Sequence, residues 1–166
     1  WLNLPAAEKM KPAGYRDIQP DEIPAITFDG GVIKLVAGEL TVDGQIHQGA
    51  VTGGSTRPLY ADIHLEPGQE TLLPIDPELE GLLYLYAGEA SLHSATGPQP
   101  LKRSAASILS EGDSVRVGAG KNGARVLLIA GKPIGEPVVQ YGPFVMNSRE
   151  EIEQTLRDYR DGRLTA

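Results

Sequence analysis

The chain has 166 residues, of which 40% are apolar and 22% are charged, a composition typical of a globular protein with a sizeable core. It contains no cysteine, which excludes disulfides, zinc thiolate sites and thiol catalysis and fits a cytoplasmic location. The net charge is −7, no basic stripe is visible, and no apolar run approaches the ~20 residues of a membrane span, so we expect neither a nucleic-acid partner nor a membrane partner.

Residues 1–30 are predicted to form an extended arm that crosses a surface. Prolines prevent a long helix there, because each lacks an N–H and restrains the residue before it. A disordered terminus is the alternative, although large apolar groups such as Trp1 and Tyr15 argue against it. The chain begins without a methionine, so we expect it to be part of a longer protein. The prolines are Pro5, Pro12, Pro20 and Pro24.

Between residues 31 and 137, short apolar runs recur between glycine and proline turns. Several of these runs alternate apolar and polar residues, which predicts an antiparallel β-barrel or sandwich. Two runs, 82–86 and 126–129, are apolar on both faces and are therefore predicted to be central strands. The predicted strand regions are 32–37, 59–65, 81–87, 107–109, 114–117 and 125–130.

The end of the chain, residues 138–166, is predicted to form an extended segment followed by a helix. Ser148 and Glu151 have the spacing of a capping box at a helix start. Gly162 is placed to end the helix. One face of the helix is apolar and consists of Ile152, Leu156 and Tyr159.

The glycine spacing after residue 68 resembles the two metal-binding motifs of cupin barrels. In the first motif, a cupin carries His-x-His and then a glutamate; in the second, Gly112 and a Gly-x-Gly turn at 118–120 precede the position of the last histidine. Here the four ligand positions are Pro74, Asp76, Glu80 and Gly123.

These four positions cannot form a cupin metal site. Such sites combine three imidazoles with a carboxylate, because metals such as iron and nickel favour nitrogen donors, and proline and glycine offer no ligating side chain. Asp76 and Glu80 are interpreted as solvated acids at the surface or in turns, and a weakly held hard cation is the alternative. We therefore predict that the chain itself has no metal, no cofactor and no catalytic residue.

The three histidines are not expected to supply a metal site, because His47, His64 and His93 lie on separate segments. His64 should sit beside Asp62 on one strand face, and we predict that the two form an exposed pair. The sequence also has no Gly-x-Ser-x-Gly nucleophile motif, and its glycine pairs are not followed by the helix of a phosphate site.

Three stretches resemble the pirin family. They are residues 1–15, the strand pair around Gly88, and residues 131–147, which carry the most specific match. Pirins are two-barrel cupins, and this resemblance covers nearly the whole chain and corresponds to the second half of the family. It implies a metal-free C-terminal barrel at 31–137, an interdomain arm at 1–30, and a segment at 138–166 that packs on the interface.

The resemblance also implies a metal-binding N-terminal barrel outside this chain, with three histidines and a glutamate that hold iron or another divalent metal. Some pirins are quercetin 2,3-dioxygenases, and the human member is a nuclear transcriptional co-regulator. We expect this chain to support such a catalytic half. The alternatives are a module that binds a small molecule or a protein without catalysis, and an autonomous metalloenzyme, which the lack of ligands disfavours.

The expected partner is the N-terminal half of the same protein, or a second copy of the chain. Large apolar groups outside the predicted barrel have to be buried somewhere, and a surface patch of this kind favours association. The alternative is a terminal helix that packs on its own domain and leaves a monomer. The groups are Trp1, Leu4, Tyr15, Phe144, Met146, Ile152 and Leu156.

Overall fold

The computed structural model describes residues 1–164, and the chain divides into two compact units. One unit is Ile18–Pro133, and the other combines Trp1–Asp17 with the chain from Ile134 onward. Within residues 1–164, no helix is long and apolar enough to cross a membrane.

The unit Ile18–Pro133 consists of short and long β-strands that pair antiparallel. Eight of them form one hydrogen-bonded sheet with the order β1-β2-β5-β10-β7-β8, in which β6 also pairs with β10 and β9 with β7, while β3 and β4 form a separate hairpin. The strands are β1 (Ala25–Phe28), β2 (Gly31–Ala37), β3 (Glu39–Val42), β4 (Gln45–Gln48), β5 (Leu59–Leu65), β6 (Glu70–Pro74), β7 (Glu80–Ser94), β8 (Gly97–Pro100), β9 (Ala106–Ile108) and β10 (Ser114–Gly131).

Two long strands, β7 and β10, bend and contribute to both layers of the fold. The first part of β10 pairs with β6 and the end of β7, and its second part pairs with β5 and the start of β7. The β10 bend lies between Ala119 and Ala124, where the register shifts. At the β7 bend Gly88 has φ +76°, and a Cβ there would collide with the Gly123 carbonyl oxygen, so only glycine fits. The result is the cupin-type jelly-roll sandwich that the sequence predicts.

The interior between the two layers is aliphatic. Strand alternation directs Ala61 and Ile63 of β5 inward and Asp62 and His64 to the outer face. Burial of each leucine or isoleucine side chain stabilises the folded state by roughly 1.5–3 kcal/mol. The largest fully buried side chains are Ile33, Leu35, Ile63, Leu73, Leu83, Leu85, Val117, Val126 and Leu128.

The second unit is a hairpin with a helix packed on it. The hairpin consists of β11 (Val139–Tyr141) and β12 (Phe144–Met146), and the helix is α1 (Arg149–Arg160). The predicted capping box is confirmed: the Glu151 N–H donates to Ser148 Oγ at 3.2 Å, and the Ser148 N–H donates to Glu151 Oε2 at 2.8 Å.

Residues from both ends of the chain meet in this second unit. Glu136 Oε2 accepts one hydrogen bond from the Ala6 N–H at 2.7 Å and another from Asn147 Nδ2 at 2.8 Å. The Phe144 and Tyr159 rings lie 5.7 Å apart. Through these contacts the last helix packs on its own hairpin, and Ile152 is buried there.

Several features differ from the sequence prediction, which did not include β6 or β8. The strands begin at Ala25, within the segment predicted as an arm, because Ile26 pairs with Ile33 and points into the core. The β3–β4 hairpin was missed, although Asp43-Gly44, both with positive φ, is a typical hairpin turn. The Gly-x-Gly at 118–120, predicted as a turn, instead lies inside β10 where that strand bends.

Candidate functional site

The four positions that match cupin metal ligands do not come together in this structure. Pro74 ends β6 opposite Ser114, at one end of the sandwich, whereas Gly123 lies at the β10 bend. Asp76 lines a cleft of about 330 Å³, Glu80 lines another of about 670 Å³, and Gly123 lines a third of about 440 Å³. The sequence motif therefore places its residues in three separate clefts.

Asp76 is held by hydrogen bonds that occupy both of its carboxylate oxygens. The Glu78 N–H donates to Oδ1 at 2.8 Å, and Arg57 Nη2 donates to Oδ2 at 2.9 Å. The Glu78 N–H, with a further contribution from Arg57 and against the effect of desolvation, lowers the pKa of Asp76 below its usual value. The carboxylate is thus part of a surface ion pair.

A metal of the kind that cupin barrels hold does not fit these residues. Pro74 and Gly123 have no donor side chain. Within residues 1–164, no group of three or more histidine, cysteine, aspartate or glutamate side chains is arranged to hold a metal ion.

The predicted pairing of Asp62 and His64 on one strand face is confirmed, but the two side chains are partly buried rather than exposed and form a cluster with Tyr86. Both side chains retain 22% of their exposure. His64 Nε2 lies 2.9 Å from Asp62 Oδ2, and the Tyr86 hydroxyl donates to Asp62 Oδ1 at 2.8 Å and lies 3.1 Å from His64 Nε2. Each of the three groups therefore contacts the other two.

A β-bulge brings Tyr86 to this cluster. On β10, Arg125 pairs with Ala87 and the next residue, Val126, pairs with Leu85, so Tyr86 is the extra residue on β7. Arg125 also pairs with His64 on the other side. Burial, followed by the hydrogen bond to Asp62, raises the pKa of Tyr86 to about 12 against a smaller opposing effect of Arg125.

The cleft beside this cluster is lined in part by backbone atoms of glycines, which carry no side chain. Gly31, Gly88 and Gly123 line it, and a Cβ on Gly31 or Gly88 would collide with neighbouring backbone oxygens. His64 and Arg125 stand at the same cleft. Gly123, singled out from the motif spacing, thus belongs to a cleft whose polar groups the motif could not indicate.

The other two histidines lie elsewhere. His93 Nε2 is 3.3 Å from Ser91 Oγ, and its Nδ1 is 3.8 Å from Glu70 Oε2, which is longer than a hydrogen bond. Glu70 also faces Arg116 at 3.6 Å and is half exposed, so the serine is not activated as a nucleophile. His47 lies on the β3–β4 hairpin.

Comparison with known proteins places the chain in a family. Residues 60–165 match the family model described as the pirin C-terminal cupin domain. The chain belongs to the pirin family. Over 165 residues it is 33% identical to human pirin, a match that covers 98% of this chain and 55% of that protein.

Two further proteins that the chain resembles carry enzyme names. A Pseudomonas aeruginosa protein provisionally named a quercetin 2,3-dioxygenase is 47% identical over 165 residues, with 98% of this chain and 56% of that protein covered. A solved structure of quercetin 2,3-dioxygenase from Acinetobacter baumannii matches with a TM-score of 0.85 at 29% identity, over 100% of this chain and 56% of the other. The chain spans just over half the length of the relatives it matches.

Proposed function

We propose that this pirin domain is a metal-free half of a two-barrel protein and supports a metal-binding N-terminal barrel of the quercetin 2,3-dioxygenase type. The proposal rests on the residues at the cupin ligand positions. Pro74 and Gly123 have no side chain that can bind a metal, and both carboxylate oxygens of Asp76 accept hydrogen bonds, from Arg57 and from the Glu78 N–H. The relatives with dioxygenase names support the activity of the whole protein.

The support role is that of an apolar wall against the catalytic half. An oxygenation pocket excludes water more effectively when its walls are of low polarity. The outer faces of β7 and β10 are unusually apolar, and Ile108 of β9 beside them is 76% exposed. A contiguous patch of this kind favours coverage by another surface. The patch, called here the outer patch, consists of Tyr60, Leu82, Tyr84, Ile108, Leu127 and Ile129.

Elemental analysis of the purified and dialysed chain tests the metal-free state. We expect much less than one equivalent of transition metal, because no ligand set is assembled. One tightly held equivalent of iron, nickel or zinc would overturn the proposal.

Quercetin turnover tests whether catalysis belongs to the N-terminal barrel and not to this chain. We expect no turnover by this chain above a metal-only control, because the barrel offers no redox centre. Turnover that is abolished by Glu80→Ala would show that the site was misassigned.

Binding between this chain and the separately produced N-terminal half tests whether the outer patch is the docking surface. Ile108→Asp places a charge in the outer patch and should weaken association at least about tenfold. Leu72→Asp is the matched control, because Leu72 is a 52% exposed apolar residue on β6, away from the patch. Equal loss in both variants, or in neither, would contradict the docking surface.

A further inference from the structure

The half-buried Asp62–His64–Tyr86 cluster has no part in the support role proposed above. Charged side chains on a solvated sheet face usually remain separate and mobile, whereas these three groups are fixed by mutual contacts of 2.8–3.1 Å. The bulge that positions Tyr86 interrupts the ladder between β7 and β10. Bulges of this kind commonly redirect a side chain toward a site.

The cleft is lined by Arg125 and His64, which can donate to an anion, and by one carboxylate, Glu66. Asp62 is already engaged by His64 and by the Tyr86 hydroxyl, so its negative charge is compensated. The Arg125 guanidinium is exposed and forms no ion pair with a carboxylate within residues 1–164. Lys34 pairs in register with Asp62 and adds a second cation on the same sheet face.

His64 has one ring nitrogen available to a ligand. Its hydrogen-bond contacts within the described chain, residues 1–164, involve Nε2 only. With Nε2–H donated to the Asp62 carboxylate, the Nδ1–H of an imidazolium is the donor available to an anion. The cleft thus offers a guanidinium and an imidazole side by side, since Arg125 and His64 are directly paired across β10 and β5.

The shape of the cleft favours a flat ligand. Its volume is about 440 Å³, and glycines at 31, 88 and 123 leave the sheet backbone bare. Val32 and Ala87 flank the charged pair in the same row of the sheet. A planar apolar body can lie on this surface while its charged end meets Arg125.

We propose that this cleft binds a small planar organic carboxylate, with Arg125 and His64 holding the carboxylate and Asp62 and Tyr86 orienting the imidazole. A guanidinium fork matches a carboxylate in two parallel hydrogen bonds, which distinguishes it from a compact tetrahedral anion. The site is independent of whether the N-terminal barrel is an oxygenase. Asp62 and Tyr86 act here as positioning residues.

Sodium benzoate is the probe, and the readout is the imidazole NMR signals of His64 in the intact chain. With three histidines in the sequence, His47 and His93 serve as internal references. We expect a saturable shift of the His64 signals alone, with a Kd in the range of about 0.1–10 mM. The charged and titratable groups around His64 are Lys34, Asp62, Glu66, Tyr86 and Arg125.

Three variants and two ligand controls complete the experiment. Arg125→Gln should weaken benzoate binding at least about tenfold, because it removes a charge-assisted hydrogen bond. Arg116→Gln, on the same strand but at the Glu70 ion pair, should leave binding unchanged. Tyr86→Phe should weaken binding a few-fold and move the His64 signals of the ligand-free protein, since His64 loses a neighbour that fixes its ring.

Three results would overturn the proposal. They are the absence of a saturable His64 shift, equal effects of Arg125→Gln and Arg116→Gln, and binding of benzyl alcohol or inorganic phosphate as tightly as benzoate. Both arginines are exposed, so a thermal unfolding curve for each variant shows that lost binding is not lost folding.

Discussion

Arg57 Nη2 lies 2.9 Å from Asp76 Oδ2. Asp76 stands at the sequence position where a cupin barrel carries its second metal-binding histidine. Arg57 also contacts Glu78 at 3.3 Å, and Lys132 contacts the same glutamate at 3.3 Å. The residue at the ligand position is therefore part of a network of surface ion pairs in which acidic and basic side chains alternate.

Removal of the guanidinium should raise the pKa of Asp76 toward its usual value. Arg57→Gln leaves the Glu78 N–H in place, which is the larger cause of the low pKa, so the pKa should rise only in part. Carboxyl NMR titration measures it, with Arg116→Gln as the matched control. Because the folded-state pKa is depressed, the stability contributed by Asp76 is present above the unfolded pKa and disappears as the pH falls through the folded pKa. An unchanged pKa in Arg57→Gln would contradict a role for the ion pair.

Gly88→Ala should destabilise the barrel strongly. The added Cβ meets the Gly123 carbonyl oxygen, and φ is +76°, so steric collision adds to backbone strain and the loss should exceed about 3 kcal/mol. Gly44→Ala is the matched control: its φ is +75°, but nothing lies within 4 Å, so only the strain of about 1–2 kcal/mol applies. Urea unfolding midpoints measure both, and equal losses would argue against the close approach of the two bends.

Tyr86 should be the last tyrosine to ionise. Its pKa is raised to about 12, so a spectrophotometric titration should show a late phase that disappears in Tyr86→Phe. The raised folded-state pKa means that its stabilising effect is complete below the unfolded value of ~10 and is lost as the pH rises toward 12. The wild type should therefore lose more stability than Tyr86→Phe between pH 10 and 12. Parallel losses would indicate that the hydroxyl contacts contribute nothing.

We further propose that the isolated chain self-associates through its apolar ends. Trp1 is 90% exposed and Tyr15 is 92% exposed, whereas Ile152 is buried on the hairpin. Sedimentation over a concentration series should show association, and the Trp1 emission should shift to the blue as the concentration rises. A monomer at high micromolar concentration, with constant emission from a solvated indole, would support local packing of the helix alone.

The jelly roll and the C-terminal helix could be predicted because their signals are local. Alternation in β5, two-sided apolar runs in β7 and β10, and the Ser148–Glu151 capping box each depend on a few neighbouring residues. The Asp43-Gly44 hairpin had an equally local signal that was overlooked.

The contacts of the candidate site could not be predicted in the same way. Tyr86 reaches Asp62 only because one extra residue in β7 shifts the register against β10, and a one-residue shift moves a side chain to a new neighbour. The Arg57–Asp76 pair joins two loops that are 19 residues apart. The glycine spacing of the motif correctly indicated the cupin fold, but it carried no information on where Gly123 would lie relative to Asp76.

The bend in β10 has a consequence for synthesis of the protein. Because residues 114–131 pair with β5, β6 and both parts of β7, neither layer of the sandwich can close until residue 131 has been synthesised. Until then β5 and β7 lack their common neighbour, and their unpaired edges resemble those that recruit chaperones or aggregate. Release of β10 from the ribosome should therefore trigger closure of both layers in one late, cooperative step.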